Sequence, residues 1–69
     1  MFELWARKRP VNGKGFQYEH ITNFDNIDQR FYMTDQLDRN VYAECMVVYK
    51  DRCLMYVEFE QENVKRRIK

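Results

Sequence analysis

Val41-Tyr-Ala-Glu-Cys-Met-Val-Val-Tyr-Lys-Asp-Arg-Cys-Leu-Met-Tyr-Val-Glu-Phe-Glu60 is the stretch that decides the fold. Two apolar, β-rich runs, 41–49 and 53–60, flank the polar Lys50-Asp51-Arg52, which is the pattern of a β-hairpin. If that loop is three residues long, Tyr49 opposes Cys53. Val47 then faces Met55, Cys45 faces Val57 and Ala43 faces Phe59, all on one side of the sheet. The same register sets Glu44 opposite Glu58, a like-charge pair that mildly destabilises a sheet. A two- or four-residue loop removes that pair but mixes polar groups into the apolar row.

Upstream, residues 29–37 admit two readings. As a strand they place Phe31 and Met33 on one side and Tyr32 and Thr34 on the other. Asp38-Arg39-Asn40 then closes a three-residue hairpin loop, its Asn tolerating the left-handed backbone such loops require. Phe31 falls opposite Val47 and Met33 opposite Cys45, so two independent turns build the same row. The expected core is therefore Phe31, Met33, Ala43, Cys45, Val47, Met55, Val57 and Phe59. As a helix, the segment starts from Asn23 or Asp25 as N-cap and carries Phe24, Ile27 and Phe31 at helical spacing. Its next inward position falls on Thr34 or Asp35, so the stripe fades after two turns, and the strand is the preferred reading.

Residues 2–9 alternate, with Phe2, Leu4 and Ala6 on one face and Glu3, Trp5 and Arg7 on the other. Pro10-Val-Asn-Gly-Lys-Gly15 breaks the run, because Pro removes a ladder donor and Gly supplies positive φ. Residues 16–24 return to extended chain, and Asp25-Asn-Ile-Asp28 reads as the next turn. The first two strands thus form a hairpin. The fold class expected is mainly β, a small antiparallel sheet of four or five strands, as a meander or a barrel-like closure. The alternative is α+β, ββαββ, with one helix near 25–37. Residues 1–62 form one domain and 63–69 a basic C-terminal tail.

Sixty-nine residues suffice for one small domain, since so short a chain buries only about 60% of its unfolded surface. There is no Ser, which excludes serine nucleophiles, and the single His20 excludes a two-histidine metal motif. Cys45 and Cys53 form no Cys-x-x-Cys pair and read as small, reduced core hydrophobes. Glu44 and Glu58, about 5 Å apart across strands, match the spacing of a retaining glycosidase pair, but so small a chain offers little room for a substrate cleft. The expectation is a non-enzymatic protein with no metal, cofactor or small-molecule substrate. The amino-terminal residues lack the apolar run of a secretory signal, and no stretch of 18 apolar residues occurs. A cytoplasmic protein without a membrane role is expected.

The net charge of +1 conceals an uneven distribution. Arg7, Lys8, Arg9 and Lys14 outweigh Glu3 in residues 1–14, ten carboxylates outweigh four cations in 15–62, and Lys65, Arg66, Arg67 and Lys69 close the chain. The sheet face opposite the expected core would present Tyr32, Tyr42, Met46, Val48, Leu54 and Tyr56 with Glu44 and Glu58. That is more apolar than a solvent-facing side of a small monomer usually is. Covering by the first hairpin or the tail is the plainest account. The sharper one is a surface for a protein partner or for self-association, centred on Tyr32, Tyr42, Glu44, Met46, Tyr56 and Glu58. The runner-up is nucleic-acid binding by Arg7, Lys8, Arg9, Lys65, Arg66 and Arg67, because the carboxylates between the aromatics repel phosphate.

The small single domain, the Trp5-containing first strand and Tyr32-Met-Thr-Asp-Gln-Leu-Asp38 leading into Val41-Tyr-Ala-Glu-Cys-Met46 together resemble the short accessory proteins of bacteriophages and other mobile elements. The resemblance is one of class and brings no functional motif and no catalytic or binding residue. It implies stoichiometric binding to a host enzyme or defence complex, CRISPR nucleases included, with an acidic surface able to imitate DNA. The acidic central segment fits that mode by analogy.

Overall fold

The computed structural model describes residues 1–60. Four strands, β1 (Phe2–Lys8), β2 (Glu19–Phe24), β3 (Tyr42–Tyr49) and β4 (Arg52–Glu58), form one antiparallel sheet of order β2-β1-β3-β4. Between β2 and β3 a 3-10 turn, Ile27–Gln29, runs into a short helix, α1 (Arg30–Asp35). The fold is mainly β, and its element order is ββαββ. The sheet is open and β1 lies inside it, so the connection from β2 to β3 crosses over β1 instead of continuing a meander.

The third strand expected from residues 29–37 is corrected to helix, and the reason is local. Asn26 has extended backbone, and its side chain accepts the Asp28 N–H at 2.9 Å, capping the turn. The Arg30 guanidinium donates to the Ile27 carbonyl at 3.0 Å. Thr34, where the apolar stripe was expected to fade, is buried, and its hydroxyl donates to the Phe31 carbonyl at 3.1 Å. A threonine whose hydroxyl is satisfied by the preceding turn can occupy an inward position without leaving a polar group unpaired. Ile27, Met33 and Leu37 continue the stripe against the core. Phe31 and Tyr32 consequently point away from the core, at 59% and 64% exposure.

The β3–β4 register agrees with the sequence reading where it matters: Cys45 faces Val57, Val47 faces Met55, Glu44 faces Glu58, and the Phe59 N–H donates to the Ala43 carbonyl at 2.8 Å. The route to it differs. Tyr49 opposes Arg52, so the loop is the two residues Lys50 and Asp51, both left-handed at φ 50° and 65°. That backbone twist suits a two-residue hairpin connection. An irregularity between Val47 and Val48 then inserts Leu54 as an extra residue on β4, which restores the apolar row. Cys53 falls opposite Val48 and is exposed, so it is not a core residue; Cys45 is buried, and both thiols are free.

The core consists of Leu4, Ala6, Phe24, Cys45, Val47 and Phe59. Met33, Met55 and Val57 are partly buried against it, and Ala43 is half-buried. Leu4, Ala6 and Phe24 enter because β1 sits between β2 and β3, which pairs Leu4 with Val47 and Ala6 with Cys45. Arg9 fastens the far end of this layer: its Nε donates to the Arg39 carbonyl at 2.8 Å and its Nη2 to the Phe59 carbonyl at 2.9 Å.

Candidate functional site

Alternation along the strands leaves a second sheet face, opposite the one that carries α1 and the core. It holds Glu3, Trp5 and Arg7 from β1, Glu44, Met46 and Val48 from β3, and Tyr56 and Glu58 from β4. Among the described residues no helix or second sheet lies over it. The ladder organises the face into rows. Trp5, Met46 and Tyr56 stand side by side on three adjacent strands, and Arg7, Glu44 and Glu58 form the next row.

The apolar row is anchored at Trp5. The indole N–H donates to Glu3 Oε1 at 2.8 Å, and the ring meets His20 edge-on, 5.4 Å between centroids. Tyr56, by contrast, stands on the edge strand β4 and is 54% exposed.

The charged row resolves the like-charge conflict visible in the sequence. Glu44 is buried, and its carboxylate is taken on one side by the Arg7 guanidinium and on the other by the Tyr56 hydroxyl, which donates to Oε1. A carboxylate held by a cation and a phenol tolerates burial that Glu58 alone would make unfavourable. Arg7 also lies over the Tyr18 ring, 5.4 Å from its centroid. Burial raises the Tyr18 hydroxyl above the ordinary phenol value, opposed in part by Arg7, and desolvation raises Tyr56 likewise. Both phenols are therefore neutral donors near neutral pH, not nucleophiles. Glu58 makes no ion pair among the described residues. Beside this row opens a cleft of about 280 Å³ whose walls include Arg7, Lys8, Phe16 and Glu58.

Of the six residues expected on the protein-binding face, the structure brings Glu44, Met46, Tyr56 and Glu58 together. Tyr32 and Tyr42 are corrected. Tyr32 belongs to α1, not to the sheet. Tyr42 is half-buried against the core, because the pairing passes from Arg7–Glu44 directly to Lys8–Tyr42. Ala43 is then an extra residue, and such a bulge reverses the alternation beyond it. Trp5 and Glu3 are the functional candidates that the sequence reading left out. Alternation had already set Trp5 opposite Leu4 and Ala6; what the sequence did not show was that β1 adjoins β3.

The amino-terminal candidates for nucleic-acid contact are engaged within the protein. Arg7 binds Glu44, Lys8 Nζ lies 4.0 Å from the Glu19 carboxylate and 6.0 Å from the Phe16 ring, and Arg9 is committed to two backbone carbonyls. Lys65, Arg66 and Arg67 lie outside the described residues, as does the proposed tail. Among the described residues no group of three or more His, Cys, Asp or Glu side chains is placed to hold a metal ion, and no helix is long and apolar enough to cross a membrane. Comparison with protein families, curated proteins and solved structures finds no match to this chain.

Proposed function

We propose that the protein is a small, non-enzymatic binding protein that docks a protein partner on the sheet face built from Trp5, Met46 and Tyr56. The observation that carries this is the aromatic and Met row on the sheet face that, among the described residues, no helix or second sheet covers, bordered by Glu3 and Glu58 while Arg7 is already neutralised by Glu44. Tyr56 is exposed and Trp5 and Met46 are half-buried, and aromatic and Met side chains supply large, adaptable contact area. A surplus of negative charge on the same face opposes phosphate. Stoichiometric capture of a host or defence protein, the mode implied by the phage-like resemblance, is the form of the role we propose. The two free thiols fit a reducing cytoplasm.

Trp5 is the single tryptophan and sits in the proposed interface, so its emission reports docking directly. The full chain is used as bait in host lysate, and the captured protein is then titrated while Trp5 emission is followed. Tyr56→Ala and Met46→Ala should each weaken binding tenfold or more, roughly the loss expected of a central interface residue. Because Tyr56→Ala also takes the phenol hydroxyl away from buried Glu44, both titrations are made under conditions where urea unfolding shows the variant fully folded. A parallel titration of labelled DNA at low and moderate salt tests the nucleic-acid alternative. Tight, steeply salt-dependent DNA binding, lost when Lys65, Arg66 and Arg67 are changed to Ala, would overturn the protein-docking reading.

A further inference from the structure

We infer that the occupant of this face is an amphipathic helix of the partner that carries two basic side chains about three turns apart, with large apolar side chains between them. The inference rests on the docking reading above and specifies the partner's chemistry.

Charge and spacing carry it. Arg7 and Glu44 cancel, and Glu3 and Glu58 remain as carboxylates without an ion pair among the described residues, at opposite corners of the apolar row. Glu3 accepts the Trp5 N–H through one oxygen, which leaves its second oxygen for a cation. Glu3 precedes Arg7 by four residues on β1, about 13 Å along the strand, and Glu58 lies two strands across from Arg7, about 10 Å. The diagonal between the two carboxylates is therefore about 16 Å, with Trp5, Met46 and Tyr56 inside the rectangle that it crosses.

A helix rises about 1.5 Å per residue, so cations at positions i and i+11 stand about 16 Å apart and share one side of it. Positions i+4 and i+7 fall between them on that same side. A helix about 10 Å across also covers two to three strands, the width of the apolar row. Addition of a strand at a sheet edge is the competing geometry. Both edge pairings carry a register irregularity, between Leu4 and Trp5 toward β2 and between Val47 and Val48 toward β4, and such irregularities disfavour further pairing. A second copy of this face is a poor occupant as well, since both faces would carry the same surplus of negative charge from Glu3 and Glu58 and would repel one another.

The test is selection of a displayed library of helical peptides, about five turns long, against the full chain. Binding of synthetic copies of the enriched peptides is then followed by Trp5 emission. Enriched peptides should carry Lys or Arg at i and i+11 with large apolar residues at i+4 and i+7. Glu3→Gln and Glu58→Gln should each weaken them about three- to fivefold, as loss of a rim ion pair does. Binders that lack the basic pair, or that ignore both Gln substitutions, overturn the helix inference, as does an empty selection. If those binders still lose affinity with Met46→Ala and Tyr56→Ala, the docking face stands. Insensitivity to all four substitutions removes the face too. Sedimentation of the unaltered chain as a dimer that Tyr56→Ala dissolves would make a second copy the occupant and overturn the inference.

Discussion

Replacing Arg7 by Leu tests the charged row most directly. The change leaves Glu44, whose side chain is 9% exposed, with the Tyr56 hydroxyl as its remaining donor and with Glu58 directly opposite. Removing one partner of a fully buried ion pair costs about 3–5 kcal/mol, whereas an exposed pair contributes about 0–1 kcal/mol. Arg7 is 46% exposed, so solvent screens its half of the pair and an intermediate loss of about 2 kcal/mol is expected. For a domain of this size that is a fall in melting temperature of about 8–16 °C. In urea, with a slope near 1 kcal/mol/M, it is a midpoint shift of about 2 M. Trp5 emission follows unfolding in both formats. In a Glu44→Gln background the same Arg7→Leu change should cost only about 0.5 kcal/mol, because the charge that needed a partner is gone. If Arg7→Leu costs the same in both backgrounds within about 0.5 kcal/mol, Arg7 does not compensate the carboxylate and the account of the row is wrong.

Leu4→Ala should destabilise by about 3 kcal/mol, since it empties a fully buried position paired with Val47; urea unfolding measures it. Asp51→Gly should stabilise by about 0.5–1 kcal/mol, because Asp51 holds φ 65° in the two-residue turn and Gly adopts that backbone without a Cβ penalty; thermal melts compare the two. At pH 8 a thiol reagent should label Cys53 rapidly in the folded protein and Cys45 only in denaturant. Burial pushes the Cys45 thiol up to about 11 from an ordinary 9.0, so its contribution to stability is intact below pH 9 and is lost as pH rises toward 11, where the unfolded thiol ionises first. Urea midpoints measured from pH 8 to 11 should fall across that window.

The hairpin of β3 and β4 was legible because two separate features agree, an apolar alternation and a polar turn between the runs. Even there the two-residue turn and the extra Leu54 were hidden, because a bulge cancels the shift introduced by a shorter loop and leaves the facing pairs unchanged. The alternation of 2–9 was equally plain, yet alternation fixes faces and not neighbours. Nothing in Phe2-Glu-Leu-Trp-Ala-Arg-Lys8 announces that the strand lies between two others, and with that Leu4, Ala6 and Phe24 joined the expected Cys45, Val47 and Phe59 in the core. The helix was obscured by one residue. Thr34 counts as polar in a periodicity argument, but its hydroxyl is spent on the preceding turn, so it behaves as an apolar group of its size. Tyr42 misled for a related reason, since strict alternation has no means of registering the extra Ala43. The face itself was half legible: Glu44, Met46, Tyr56 and Glu58 follow from the hairpin, whereas Trp5 required the strand order.

The position of β1 also governs the order in which the molecule can assemble. Its partner on one side, β2, is close in sequence, but on the other side Leu4 and Ala6 wait for Val47 and Cys45 from a much later part of the chain. The early hairpin alone buries little and exposes Leu4, so it cannot persist by itself. Closure of the long loop that delivers β3 is therefore the slow entropic step. A ribosome-held fragment that stops before Tyr42 should remain protease-sensitive throughout, and protection should arrive all at once when β3 emerges.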